Sequence, residues 1–115
     1  MFTTKQREYV RNYVLEMAQT DSRVTGGAII GSIAAGAESN WSDIDVTFGI
    51  TTGTAIESVI DDWTQVFERE FGVLNSFDVR SGSSIYRVFL LPNGLEIDVS
   101  VTPEEDFGAR GPHFH

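Results

Sequence analysis

The chain has 115 residues, a formal net charge of −9 and a pI near 4.4. This length fits one domain with a single core, and the acidity excludes nucleic-acid binding through a general basic surface, which needs clustered Lys and Arg. The absence of cysteine excludes disulfides, a thiolate zinc site and a thiol nucleophile. No stretch approaches the length of a membrane span or of an apolar leader segment, so we expect a cytoplasmic protein with no membrane partner.

The first predicted element is a helix over about residues 3–19. Thr3 and Gln6 have the spacing of a capping box. The apolar positions fall on one narrow stripe formed by Val10, Tyr13, Val14 and Met17. We expect this helix to lie on a sheet with its charged side in water.

The segment from Gly26 to Ile50 carries the most informative pattern. A short buried strand through residues 28–30 is predicted to break at Gly31-Ser32, and a Gly- and Ala-rich connection follows. A Gly-Ser pair at the end of a strand exposes backbone N–H groups and a hydroxyl. Such a turn is a good cradle for phosphate.

The next predicted strand begins with the sequence S-D-I-D-V. Its period of two places Asp43, Asp45 and Thr47 on one face. Two neighbouring carboxylates repel each other, and a divalent cation such as Mg²⁺ would convert that repulsion into ligation by hard oxygen donors. The pattern therefore indicates a cation site at the start of this strand.

A second helix is predicted over about residues 54–70, where Thr54 and Glu57 form another capping box. Its apolar positions at helical spacing are Ile56, Val59, Ile60, Trp63 and Phe67. Trp63 is expected in the core rather than against a ligand. Gly72 is expected to end the helix.

Three strands are predicted at 76–80, 84–91 and 95–101, joined by two hairpin turns. In the last strand Glu96, Asp98 and Ser100 face away from the apolar residues. The element order α, β, β, α, β, β, β predicts an α+β fold, a small mixed sheet of about five strands with helices packed on one face.

Asp98 is the natural third carboxylate, since it lies on the polar face of a strand between apolar neighbours. A third carboxylate beside Asp43 and Asp45 would allow two Mg²⁺ ions to clamp the attacking and leaving oxygens of an in-line displacement at phosphorus. Asp78 also lies on a predicted strand and competes for this place.

The pattern G-S-x-A-x-G, then S-D-I-D-V, then an apolar-Asp-apolar strand resembles the nucleotidyltransferase superfamily related to DNA polymerase beta. It is closest in style to the minimal and the aminoglycoside or lincosamide nucleotidyltransferases. The resemblance implies that Gly31 and Ser32 hold phosphates, and that Asp43, Asp45 and Asp98 bind two Mg²⁺ ions and are catalytic, with Asp98 also suited to act as general base. These families often have a basic or aromatic residue where this chain has Ile33. Among the arginines, Arg87 is the candidate phosphate contact.

The activity implied is transfer of an NMP, with AMP favoured, from an NTP to a hydroxyl of a small molecule, with release of pyrophosphate. ATP is the favoured co-substrate, and nucleic acid is not expected as a partner. The alternative is an antitoxin or interaction module of the same fold that binds or modifies a helical partner protein. A third interpretation is the catalytic half of a longer enzyme, and a homodimer is a further way to complete the site.

The resemblance covers residues 1–102, which are predicted to form the catalytic domain. Residues 103–115 are predicted to be an irregular tail, the start of a missing C-terminal region or a segment that packs on another subunit. Phe107 and Phe114 suggest this because little local structure is predicted to bury them.

Overall fold

The computed structural model describes residues 3–29 and 43–107. Within these residues the elements are α1 (Thr4–Thr20), β1 (Val24–Ile29), β2 (Ile44–Ile50), α2 (Ile56–Phe71), β3 (Asn75–Ser81), β4 (Ser84–Leu90), β5 (Glu96–Pro103) and α3 (Glu104–Phe107). The predicted order of two helices and five strands is confirmed, and α3 is added after the last strand. None of the helices in the described ranges is long and apolar enough to cross a membrane.

The two long helices begin differently. At the start of α1 the Thr3 hydroxyl accepts from the Gln6 backbone N–H while the Gln6 side chain accepts from the Thr3 N–H, so this capping box is confirmed. The second predicted box is wrong, because α2 begins at Ile56 and its N-cap is Ala55, which has no side-chain hydrogen bond. Thr54 therefore lies one residue too early to cap the first turn.

The five strands form one mixed sheet in the order β1-β2-β5-β4-β3. The pair β2–β5 is parallel, whereas β1–β2, β5–β4 and β4–β3 are antiparallel. The central parallel pair joins strands that lie far apart in sequence. It decides which residues become neighbours at the start of β2 and β5.

One face of the sheet packs against α1 and α2 and forms the core. Trp63 is buried as predicted, with its ring edge-on to Phe48 at a centroid distance of 5.3 Å and its indole Nε1 donating to Asp21 Oδ2 at 2.9 Å. Phe67 and Phe89 make a second edge-on contact at 4.9 Å between α2 and β4. Alternate residues of β2 and β5 complete this core, namely Ile44, Val46, Phe48, Ile50, Ile97, Val99 and Val101.

The other face of the sheet carries the polar residues of β2 and β5. Two pairs of buried hydroxyls bond to each other on it, Thr47 with Ser100 at 2.7 Å and Ser84 with Thr102 at 2.6 Å. Each hydroxyl has its partner on a neighbouring strand, so this face is polar yet satisfied along its middle.

The short helix α3 lies against this polar face, over β1 and β2. A Cβ on Gly49 would lie only 2.9 Å from the Phe107 ring, and one on Gly26, its register partner, 3.3 Å. The two glycines thus leave the space that the ring fills. The tail predicted as irregular from residue 103 is therefore ordered through Phe107, while Phe114 lies outside the described residues.

Candidate functional site

The site is built where the parallel strands β2 and β5 begin. Their register pairs Ile44 with Ile97 and Asp45 with Asp98, so these two carboxylates start from adjacent positions. Neighbouring strands lie about 4.8 Å apart, close enough for the two side chains to interact. The backbone alone thus joins residues that are 53 positions apart in sequence.

Four carboxylates share this end of the polar face. Asp43 and Asp45 alternate along the start of β2, and Glu96 and Asp98 alternate along the start of β5. Asp43, Glu96 and Asp98 can each offer one oxygen such that all three atoms lie within 4.8 Å of one another. Asp43 is exposed, whereas the other three are partly buried at the sheet surface.

Burial, and then the neighbouring carboxylates, raise the pKa values of three of these groups. Burial and then the hydrogen bond and charge of Glu96 raise the pKa of Asp98 to about 8. Desolvation and then Glu96 raise the pKa of Asp43 to about 6, against a smaller opposing effect of Arg7. Burial and Glu96 also raise the pKa of Asp45. Each shift reports first the burial of the carboxylate and second the negative charge beside it.

The donor set fits a divalent cation with hard oxygen ligands, such as Mg²⁺ or Mn²⁺. Within the described part of the chain, Asp98 Oδ1 is buried and has no hydrogen-bond partner. A buried carboxylate oxygen without a partner costs free energy, which a cation would recover. The positions of Asp43, Glu96 and Asp98 allow them to hold such an ion together.

One cation from the protein lies beside this group. Arg7 in α1 is only 6% exposed, and its Nη2 donates to the backbone carbonyl of Asp43 at 3.3 Å. The sequence pattern placed Arg7 on the solvent side of α1, so this contact was missed. The arginine holds the chain at the entry to β2 while leaving the Asp43 carboxylate exposed.

The structure does not bring Arg87 to the carboxylates. Arg87 points to the helix side of the sheet, where its guanidinium binds Asp78 and, at 2.8 Å, Asp61 of α2. The reason is register: Val88, not Arg87, pairs with Asp98, so Arg87 falls on the opposite face. The same contacts keep Asp78 away from the site. Gly31 and Ser32 lie outside the described residues, and their predicted phosphate contact stays a prediction.

Glu96 is the site residue that the sequence interpretation did not assign. The sequence did contain a pattern that pointed to Glu96, because the period of two puts it on the same face as Asp98. Only the parallel pairing of β2 with β5 shows that Glu96 lies beside Asp43.

Comparison with solved structures identifies the fold. An aminoglycoside 6-adenyltransferase from Bacillus subtilis superposes with a TM-score of 0.69 at 14% identity, over 99% of this chain and 40% of that one. The polymerase core of TRAMP, an RNA surveillance complex, gives 0.53 at 16% identity, over 87% and 32%. The GLD-2/RNP-8 complex gives 0.55 at 19% identity, over 96% and 35%.

The chain therefore has the nucleotidyltransferase fold, as the sequence resemblance predicted. It spans between 32% and 40% of the length of these three proteins. No protein-family profile matches the sequence. No curated protein matches it with significance either.

Proposed function

We propose that this chain is a metal-dependent nucleotidyltransferase domain that moves an NMP from an NTP to an acceptor hydroxyl and releases pyrophosphate. The main support is the pairing of Asp45 with Asp98 on adjacent parallel strands, with Asp43 beside them, in a nucleotidyltransferase fold. ATP is the favoured NTP and AMP the favoured transferred group. The acceptor we favour is a small molecule, in line with the aminoglycoside 6-adenyltransferase among the structural neighbours.

In this proposal the chain contributes binding and positioning. Bound Mg²⁺ would neutralise phosphate oxygens and stabilise the charge on the attacking and leaving oxygens. Asp43, Asp45 and Asp98 would hold the metal where β2 and β5 begin, and Arg7 fixes the backbone that carries Asp43. Gly31 and Ser32 are assigned to the NTP phosphates.

Asp98 is also our candidate for the general base. Without metal, burial and then Glu96 raise the pKa of Asp98 to about 8, and a bound cation would favour its ionised form, which is the form that accepts a proton. Once ionised, Asp98 can take the proton of the acceptor hydroxyl. Positioning and electrostatics then supply the rest of the rate enhancement.

The test is nucleotide binding by thermal shift, followed by transfer of label from [α-³²P]ATP. At about 100 times Kd, Mg²⁺-ATP should add about 2.7 kcal/mol, or roughly 10 °C for a domain of this size. We expect Asp45→Asn and Asp98→Asn to lose the Mg²⁺-dependent shift and the release of pyrophosphate. Asp78→Asn is the matched control, because it makes the same change on the opposite face. Retention of Mg²⁺-dependent transfer by Asp45→Asn would refute the proposal.

A second candidate is action on a protein partner, the alternative drawn from the sequence. Phe107 gives it less support than expected, because its ring packs over Gly49. Phe77 and Val79 support it, since both are about half exposed, at 51% and 52%, on edge strand β3. The label from [α-³²P]ATP distinguishes the two candidate functions. Transfer to a panel of small hydroxyl compounds supports the first candidate, and acid-precipitable label on protein supports the second.

A further inference from the structure

Glu96 occupies a position that mirrors Asp43. Along β2 the carboxylates stand at 43 and 45, and along β5 they stand at 96 and 98, with the same spacing of two. The parallel register pairs Asp45 with Asp98. Asp43 and Glu96 each come two residues earlier, so both lie nearer the end of the sheet where β2 and β5 begin. The result is two facing pairs of carboxylates on one surface.

A purely structural role does not account for Glu96. The side chain is partly buried, and among the described residues it forms no ion pair with a lysine or arginine. Asp43 and Asp98 lie beside it instead, and their oxygens can converge with its own within 4.8 Å. A partly buried carboxylate held among like charges is destabilising unless a cation joins them.

The unpartnered Asp98 oxygen points to the same conclusion. Asp98 Oδ1 is buried without a hydrogen-bond partner in the described part of the chain, although Asp43 and Glu96 lie close by. A cation placed among the three would satisfy all of them at once.

We propose that Glu96 is a metal ligand of this site, so that the chain binds its cation through the converging carboxylates of Asp43, Glu96 and Asp98, with Asp45 beside them. This inference rests on the proposed function, since it concerns the same divalent cation. Sites that hold Mg²⁺ with one or two carboxylates depend on substrate phosphates to complete the coordination. With three converging carboxylates, this site should bind a divalent cation before the nucleotide arrives.

The experiment is a Mn²⁺ titration of the full chain, followed by the loss of the free Mn²⁺ EPR signal, without nucleotide and then with ATP. The variants are Glu96→Gln, which removes the charge at constant size, and Glu96→Asp, which keeps the charge but shortens the side chain. Glu68→Gln is the matched control, since it makes the same change at an exposed position on α2. Urea unfolding without metal checks that each variant folds.

We expect the wild type and Glu68→Gln to bind Mn²⁺ without nucleotide. Both Glu96 variants should bind it about tenfold or more weakly, the scale on which changes around metal sites act. The metal-free Glu96→Gln protein should be as stable as the wild type or more so, because one repulsive charge is gone. Weakening in Glu96→Gln alone would mean that Glu96 acts only through its charge, which overturns direct ligation.

The remaining outcomes separate this inference from the proposed function. If the wild type binds Mn²⁺ and Glu96→Gln binds it equally well, Glu96 is not a ligand, and the nucleotidyltransferase proposal stands. If the wild type binds Mn²⁺ only with ATP, the nucleotide-independent site is refuted while the proposed function is retained. If Mn²⁺ binds under neither condition, both fail.

Discussion

The contact between Phe107 and Gly49 gives a sharp stability prediction. A Cβ built on Gly49 would lie 2.9, 3.0 and 3.2 Å from the Cγ, Cδ2 and Cβ atoms of Phe107. Carbon atoms in favourable contact are about 3.5–4.0 Å apart, so Gly49→Ala must displace the ring or the strand. Such overpacking costs about 1–3 kcal/mol, against a gain of about 0.4–1 kcal/mol from the stiffer unfolded chain.

The prediction is tested by a double-mutant cycle. Gly49→Ala should destabilise the wild type by about 1–2 kcal/mol, which for a chain of this size lowers Tm by roughly 4–8 °C. In the Phe107→Ala background the same substitution should cost clearly less, because the ring atoms at 2.9 and 3.0 Å are gone and only the Cβ of residue 107, at 3.2 Å, remains close. The coupling between the two sites should therefore be about 0.5–2 kcal/mol.

Urea unfolding followed by far-ultraviolet circular dichroism measures the four free energies. Gly27→Ala is the control, since its Cβ would meet Phe48 at 2.6 Å rather than Phe107. Its cost should be the same with and without the Phe107 ring. Equal costs for Gly49→Ala in the two backgrounds would show that α3 does not close over β2, and the argument from the glycines would be refuted.

Three further results are expected. Without metal, the folded-state pKa values of Asp98 and Asp43, about 8 and about 6, lie above their ordinary value of 3.8, so the folded chain holds protons that the unfolded chain releases. Stability should therefore fall as pH rises from about 4 to 8, and Asp98→Asn should flatten urea midpoints across this range; an unchanged slope would contradict the burial of Asp98. The pKa of Asp21 is lowered to about 2, chiefly by its hydrogen bond with Arg23, so stability is lost as pH falls from about 4 to 2. Asp21→Asn should remove that acid loss and cost about 1–3 kcal/mol at neutral pH. Trp63→Phe should cost about 1 kcal/mol or more, because it removes the Nε1 hydrogen bond to Asp21 along with part of the ring, and a neutral result in urea unfolding would exclude that bond as a stabilising contact.

The sequence alone was sufficient to predict those features of the fold that depend on local interactions. Apolar periods of 3.6 and 2 predicted the two long helices and the five strands, because each pattern is set within about ten residues. The face shared by Asp43 and Asp45 followed from strand alternation alone. The capping box at Thr3 was also local, and it is present.

What could not be predicted depended on register between distant strands. Arg87 was assigned to the site because it lies on a strand beside Asp98, yet the pairing of Val88 with Asp98 turns Arg87 to the other face. The position of Glu96 beside Asp43 follows only from the parallel pairing of β5 with β2. The burial of Arg7 likewise depends on how α1 approaches the sheet. Such long-range pairing leaves no periodic trace in a single sequence.

The alternation of charged and apolar residues along β5 also favours one register between β4 and β5. A shift of one residue between β4 and β5 would carry Glu96 and Asp98 across the sheet, into the space now filled by Ile97 and Val99. Two carboxylates would then be buried against the aromatic side chains of α2, which no compact state tolerates without neutralising them. Glu96 and Asp98 thus raise the free energy of sheets in which β5 is shifted by one residue. The residues best placed to bind a cation therefore also favour a single strand register.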